Sequence, residues 1–250
     1  MSKIIVIDFG GVQHTALFAH RNFGNTPVTY ILMRMMIGYL KKIGIEKDTL
    51  IIIAQDFGSW RKNLDPNYKA QRKEVRETFE EEQWWKDKYE EINEFIKQLN
   101  ECLPWHWIKI YRDEADDIAS VAVRYYKDKE VVLVSSDKDW EMLLNFENVK
   151  IFSPLQNKKT KVAKYKDVPF PVKVLLEKIQ GDVSDNLLVK PSSEREFEIR
   201  KKIVNLLELP DEIEQPIKEQ FQNLLPKNLY LHKVPYRSVR EEIRKLYQEE

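Results

Sequence analysis

The chain of 250 residues carries 41 Lys and Arg against 41 Asp and Glu, with 33% of its residues charged and 42% hydrophobic. That is enough apolar material for a large domain with an appendage, but the zero net charge gives no whole-chain field to attract a polyanion. One cysteine, Cys102, excludes an intramolecular disulfide, and no apolar run approaches the roughly 18–20 residues of a membrane span.

MSKIIVIDFG enters a strand with no apolar leader, so a soluble cytoplasmic protein in a reducing compartment is expected. KIIVID is continuously apolar, the pattern of a strand buried on both faces, and it stops at Asp8. TYILMRMMIGYLKKIG has helical spacing and a stop at Gly44. LIIIA is the second buried strand and leads to Asp56. Residues 59–73 then carry five bases against Asp65. Among them Arg61, Lys69 and Arg72, interleaved with Trp60 and Tyr68, suit phosphate contact and base stacking, although a solvated loop and helix start fits equally well.

Residues 73–101 hold ten acids, five bases and neither Gly nor Pro, so they should be helical. Phe79, Trp84, Trp85, Tyr89 and Phe95 leave two readings, an amphipathic helix covering the sheet or a helical arch over a site. WIKIY is the third strand. Glu114, Asp116 and Asp117 then open the helix ADDIASVAVRYYKD, whose Ile118, Val121, Ala122 and Tyr125 share one face. VVLVS is the fourth strand and runs into Asp137 and Asp139, followed by a short helix around WEMLLNF and a fifth strand, VKIFS.

Residues 156–166 contain five lysines, Lys158 and Lys159 among them, and no acid. They form an exposed hairpin or a duplex-backbone contact. From about residue 170 four segments of helical periodicity follow, with Asp182 and Asp185 lying in QGDVSDN after the first.

Strands alternating with helices predict an α/β fold, a central, mainly parallel sheet flanked by helices with right-handed crossovers. The expected division is an α/β domain over 1–168, with the arch at about 73–101, and a mainly helical region over 169–250.

Nine carboxylates in five clusters then fall on one rim: Asp8, Asp56, Glu114 with Asp116 and Asp117, Asp137 with Asp139, and Asp182 with Asp185. Asp48 and Asp113 stand outside the set. Any one cluster has a plainer reading, as a helix N-cap at Asp8, a capping residue at Asp116 or Asp117, or a helix start at Asp182 and Asp185. Five clusters sharing one rim, three of them at the carboxyl ends of strands, have no such common cause, and make an oxygen-rich cage for divalent cations. That is the equipment of metal-assisted phosphodiester hydrolysis.

In this order the motifs IDFGG, DFGSWRKNLDPNYKAQR, EADDIA, SSDKDWEML and GDVSDN resemble the flap endonuclease and 5′→3′ exonuclease family, whose fold is PIN-like. They span residues 4–186. Within that family the chain most resembles the ribonuclease H branch of T-even-type phages, through SSDKDWEMLLNFENVKIFSPLQNKKTKV and NLYLHKVPYRSVREEIRKLY.

The resemblance implies a structure-specific 5′ nuclease that removes RNA primers and 5′ flaps in DNA replication with two Mg²⁺ ions, replaceable by Mn²⁺. All nine carboxylates would hold metal. Asp8, Lys69, Arg72 and Asp137 would be catalytic, with Lys69 and Arg72 positioning the scissile phosphate. Implied partners are DNA with a 5′ flap, nick or RNA primer, together with a replication clamp and a single-strand-binding protein. A monomer without membrane contact is implied, in the cytoplasm or in a phage host's cytoplasm.

The chain departs from the family after Asp185, where LLVKPSSEREFEIRKK replaces a glycine-rich hairpin. Lys190, Ser192, Ser193, Arg195, Arg200 and Lys201 would then grip duplex by their side chains, together with Arg61, Tyr68, Lys69, Arg72, Lys158 and Lys159 elsewhere. The rival readings are a PIN-type ribonuclease on single-stranded RNA and a catalytically silent DNA-binding protein.

Overall fold

Runs of Ile, Val and Leu without interruption suit strands covered on both faces. In the computed structural model, which describes residues 3–70, 79–154, 162–164 and 171–248, these runs build the centre of the molecule. The strands are β1 (Lys3–Asp8), β2 (Leu50–Gln55), β3 (Trp105–Lys109), β4 (Glu130–Val134), β5 (Val149–Phe152) and β6 (Val162–Lys164). They lie in the order β3-β2-β1-β4-β5-β6. The first five are parallel, and β6 returns antiparallel to β5 with Phe152 opposite Val162. This last pairing is a hairpin at the lysine-rich segment, whose Lys158 and Lys159 lie outside the described residues. The third strand begins two residues before WIKIY.

Chain direction across the sheet reverses on the two sides of β1, which pairs with β2 on one flank and β4 on the other. The carboxyl ends of those three strands border one crevice, where open α/β sheets carry their sites.

One face of the sheet is covered by α1 (Phe9–Phe23), α2 (Val28–Ile43), α3 (Phe79–Cys102) and α8 (Arg237–Tyr247), whose apolar residues share a core with Ile5, Ile7, Ile51 and Ile53. The other is covered by α4 (Ala115–Tyr125), α5 (Pro171–Gln180), α6 (Glu194–Val204) and α7 (Asp211–Gln222), packed on Ile4, Val6, Ile52 and Leu133. The periodicity of the four C-terminal segments corresponds to α5, α6, α7 and α8. The short helix around WEMLLNF is a 3-10 helix, Lys138–Asn145, with Phe146 as its C-cap.

The helix N-cap expected as the plainer role of Asp8 is realised at the start of α1, whose buried face is Phe9, Val12, Ala16 and Leu17 at helical spacing. In α3 the covering reading holds for the C-terminal part, where Ile92, Phe95, Ile96 and Leu99 are buried in the core. The residues that precede α3, among them Arg72, lie outside the described set.

Candidate metal centre

Each strand end delivers its acid to the rim in a different way. Asp8 closes β1 and caps α1, accepting from Gly11 N at 3.2 Å and from Ser135 Oγ at 2.9 Å. Its carboxyl is pushed up to about 6, first by burial and then by Asp56 and Asp137, against the pull of those hydrogen bonds. Asp56 follows β2 and accepts from Ala115 N at 2.7 Å, which ties it to the start of α4. A Cβ added at Gly10 would stand 3.4 Å from Asp8 Oδ1 and 3.8 Å from Asp56 Oδ2, so glycine keeps the space between these carboxylates clear.

Asp116, in the first turn of α4, accepts from Trp140 Nε1 at 2.6 Å. Burial pushes its carboxyl well above the usual range, with Asp137, Glu114 and Asp56 adding to the rise against Lys69. Asp137 ends the β4 turn with its side chain exposed, and its Oδ1 accepts from Asp139 N at 2.9 Å.

A second group lies beside this one. Asp139, Asp182 and Asp185 offer oxygens that all lie within 4.8 Å of one another. The loop carrying the last two is closed by paired backbone hydrogen bonds between Asp182 and Leu187 at 2.7 and 2.8 Å. Lys178, four residues before Asp182 on α5, forms ion pairs with Asp139 and Asp182 and stands 3.6 Å from Asp185. Asp139 is raised to about 7 by burial and Asp137, which outweigh Lys178. Asp182 is held low despite burial, by hydrogen bonds from Lys178 and Ser184. Lys69 links the two groups, with Nζ 2.7 Å from Glu114 Oε1 and 3.9 Å from Asp185 Oδ1. Its φ of 55° is unusual for a non-glycine residue, and its amide donates to the Asp185 carbonyl at 3.4 Å.

Hard oxygen donors, of which Asp8, Asp116 and Asp139 have raised proton affinity, and a glycine-cleared gap between Asp8 and Asp56 fit a divalent cation. Asp8, Asp56, Asp116 and Asp137 would serve one position, and Asp139, Asp182 and Asp185 the other. The hydrogen bond from Trp140 fixes the orientation of Asp116, and such supporting contacts typically carry about 10–100-fold in metal affinity. Trp140→Phe should therefore weaken Mn²⁺ binding by about tenfold, read by isothermal titration or by Mn²⁺ electron paramagnetic resonance. Unchanged affinity would remove Trp140 from the site.

Asp117 keeps different company. It is fully buried, and its two oxygens take Arg61 Nη2 at 2.7 Å, Arg61 Nη1 at 3.0 Å, Trp60 Nε1 at 3.2 Å and the Glu114 amide at 2.9 Å. The capping role expected of this residue takes the form of the N3 acid of a capping box whose N-cap is Glu114. Glu114 is also spoken for, by Arg61 at 2.8 Å, Tyr68 at 3.1 Å and Lys69. Burial alone would raise its carboxyl, but Lys69 and Arg61 hold it below its usual value.

Three residues expected to touch nucleic acid lie inside the protein instead. Arg61 is 1% exposed, paired with two acids and donating from Nε to the Ile203 carbonyl at 2.6 Å. Tyr68 is 3% exposed against Glu114, because a phenol beside a buried carboxylate saves an otherwise unmade hydrogen bond. Arg200 is buried and hydrogen-bonded to Val189 O and Glu196. Lys190, Arg195 and Lys201 are exposed. Lys178, Ser135 and Trp140 were missed, although the four-residue spacing of Lys178 and Asp182 is a visible helical ion-pair signal.

Residues 3–169 match the 5′-3′ exonuclease, N-terminal resolvase-like domain family. Ribonuclease H of Enterobacteria phage T4 is 29% identical over 150 residues, covering 59% of this chain and 47% of that protein. A 5′-3′ exonuclease of Mycoplasmopsis pulmonis (strain UAB CTIP) is 24% identical over 146 residues, covering 57% of this chain and 46% of that protein. The chain thus aligns with about half the length of each relative.

Among solved structures, a bacteriophage T5 flap endonuclease pseudo-enzyme–product complex with DNA and metal ions superposes with TM-score 0.61 at 20% identity, over 97% of this chain and 84% of that one. A T5 protein of the same kind co-crystallised with metal ions gives 0.60 at 20% identity, over 88% of this chain and 87% of that one. At that identity the likeness is one of fold. No described helix is long and apolar enough to cross a membrane.

Proposed function

Because this chain belongs to the 5′-3′ exonuclease family through its N-terminal resolvase-like domain, we propose that it is a structure-specific 5′ nuclease hydrolysing phosphodiesters near the 5′ end of a flap, nick or RNA primer. The observation that carries the reading is the meeting of Asp8, Asp56, Asp116 and Asp137 at the crevice flanking β1, beside Asp139, Asp182 and Asp185. Two Mg²⁺ ions, or Mn²⁺ in their place, would supply Lewis acidity to the scissile phosphate and to the attacking water.

The chain's own groups do the rest. Ser135 and Gly11 orient Asp8, Trp140 orients Asp116, and the closed loop from Asp182 to Leu187 sets the distance between Asp182 and Asp185. Lys69 places one fixed positive charge between the two carboxylate groups, where a phosphate drawn to the rim would meet it. Replication is the setting that such substrates suggest.

The test compares 5′-labelled flap, nicked duplex, RNA–DNA hybrid and single-stranded RNA, each with Mg²⁺ or with EDTA. Cleavage near the 5′ end of the flap and the hybrid, only with Mg²⁺, is the expected result. Cleavage confined to single-stranded RNA would favour the PIN-type reading, and binding without cleavage a silent DNA-binding protein.

A further inference from the structure

Asp113 stands outside the carboxylate groups of the rim, and its surroundings are unlike theirs. It is 2% exposed, yet its Oδ2 has no hydrogen-bond partner among the described residues. Folded proteins seldom leave a buried oxygen unpaired without a reason. The turn that carries it is pinned: Phe57 N donates to the Asp113 carbonyl at 2.9 Å, and Arg112 N to the Phe57 carbonyl and Trp60 N to the Arg112 carbonyl, both at 2.7 Å. Arg61, whose guanidinium lies 4.8 Å from the centre of the Trp60 ring, gives its hydrogen bonds to Asp117, Glu114 and the Ile203 carbonyl instead.

The residue lines a cleft of about 850 Å³ between the β3–α4 turn, the 3-10 turn Trp60–Asn63, the last part of α6 and the start of α7. That volume lies in the range of about 300–1,000 Å³ typical of sites for small organic ligands. Leu64, Ile110, Leu209 and Ile213 give the cleft apolar walls. Its exposed charges balance, with Arg112, Lys201 and Lys202 against Glu198, Glu208 and Glu212. They set no preference of sign. The unpaired oxygen of Asp113 does.

We propose that this cleft is a binding site for a small organic cation, an ammonium or guanidinium on an apolar stem, whose N–H group is received by Asp113. The cationic head supplies both the hydrogen and the charge that the buried oxygen lacks, and such charge-assisted bonds are the strong ones. The stem finds apolar cover on Leu64, Ile110, Leu209 and Ile213, as the methylenes of a lysine or arginine do on a protein surface. A nucleic acid strand fits poorly, because its phosphates would meet Asp113 and three exposed glutamates. The proposal goes beyond the nuclease reading and does not rest on it.

The test is isothermal titration of the full chain, free of metal and DNA, with butylguanidine, butylamine and butan-1-ol, which share a stem and differ in the head. The two cations should bind at one saturable site, and the alcohol about tenfold more weakly or less tightly still. Asp113→Asn keeps the shape and an acceptor but removes the charge, and should weaken both cations about tenfold. Its melting temperature should not fall, since no partner of the carboxylate is lost. Leu64→Trp fills the cleft while leaving Asp113 in place, and should weaken all three ligands. Equal binding of alcohol and cations, unchanged cation affinity in either variant, or a lower melting temperature in Asp113→Asn would overturn the site. So would binding of N-acetylarginine amide more than about tenfold tighter than butylguanidine, which would assign the cleft to a side chain of a protein partner. None of these outcomes touches the nuclease reading, which is judged on Mg²⁺-dependent cleavage.

Discussion

Asp137→Asn should lower Mg²⁺-dependent cleavage by about a thousandfold while leaving binding of a 5′-flap substrate within about twofold of wild type. The residue is well placed for so clean a separation. It is exposed at the end of the β4 turn, its amide donates to Ser135 Oγ at 3.0 Å, and its side chain makes the capping bond that Oδ1 accepts from Asp139 N. An asparagine oxygen accepts the same bond, so the local turn survives the exchange. What disappears is a negative charge felt by Asp8, Asp116 and Asp139 together, each of which it pushes toward its neutral form. It is therefore the acid that couples the two carboxylate groups. Cleavage and binding are to be measured on one labelled flap, with circular dichroism as the check of folding. Full activity in the variant would sink the proposed site.

Arg61→Leu should cost about 3–5 kcal/mol of stability, the usual penalty for removing one partner of a buried charge pair. At the size of this chain that lowers the melting temperature by about 10 °C. The side chain is 1% exposed, so solvent screens little of the interaction. Its loss leaves Asp117 and Glu114 buried with fewer donors, and the Ile203 carbonyl without Nε. Lysine is no substitute, because the three acceptors require the planar fork.

The part of the pH dependence that comes from Glu114 has a definite sign. Glu114 is held below its usual range, so its share of stability is present above that range and is lost as pH falls through the lowered value. Thermal denaturation at neutral pH and at about pH 4 checks both statements. A melting point within about 2 °C of wild type at neutral pH would show that the network contributes little.

What the sequence revealed depends on how local each signal is. β1, β2 and β4 were legible because burial on both faces leaves an unbroken apolar run, and the acids at their ends stood out against it. The helices after residue 170 were legible by period. β6 was legible only as one of two readings, a hairpin, since three residues, Val162–Lys164, make a short run inside a lysine-rich stretch.

The site divides in the same way. Residue types and their place at strand ends pointed to the carboxylates. The direction of Arg61 could not be read, because its acceptors lie 53, 56 and 142 residues away in the chain. A base beside aromatic residues looks the same in sequence whether it faces a phosphate or a buried acid. Only the partners decide, and here they come from α4 and α6.

Helix α4 carries this further. At its start it bears Asp116 and Asp117. Farther along, Ser120 Oγ donates to the Leu206 carbonyl, and Arg124 reaches the Leu207 carbonyl at 3.2 Å and Glu214 at 2.8 Å. With Arg61 on Ile203, the carbonyls after α6 are riveted to the same short helix that presents acids to the crevice. The C-terminal helices are therefore not an attachment that could be lifted off or exchanged between homologous chains. A chain cut before residue 194 would remove the carbonyls and the Glu214 carboxylate that Arg61, Ser120 and Arg124 reach, and with them part of the anchorage of the helix that carries Asp116 and Asp117.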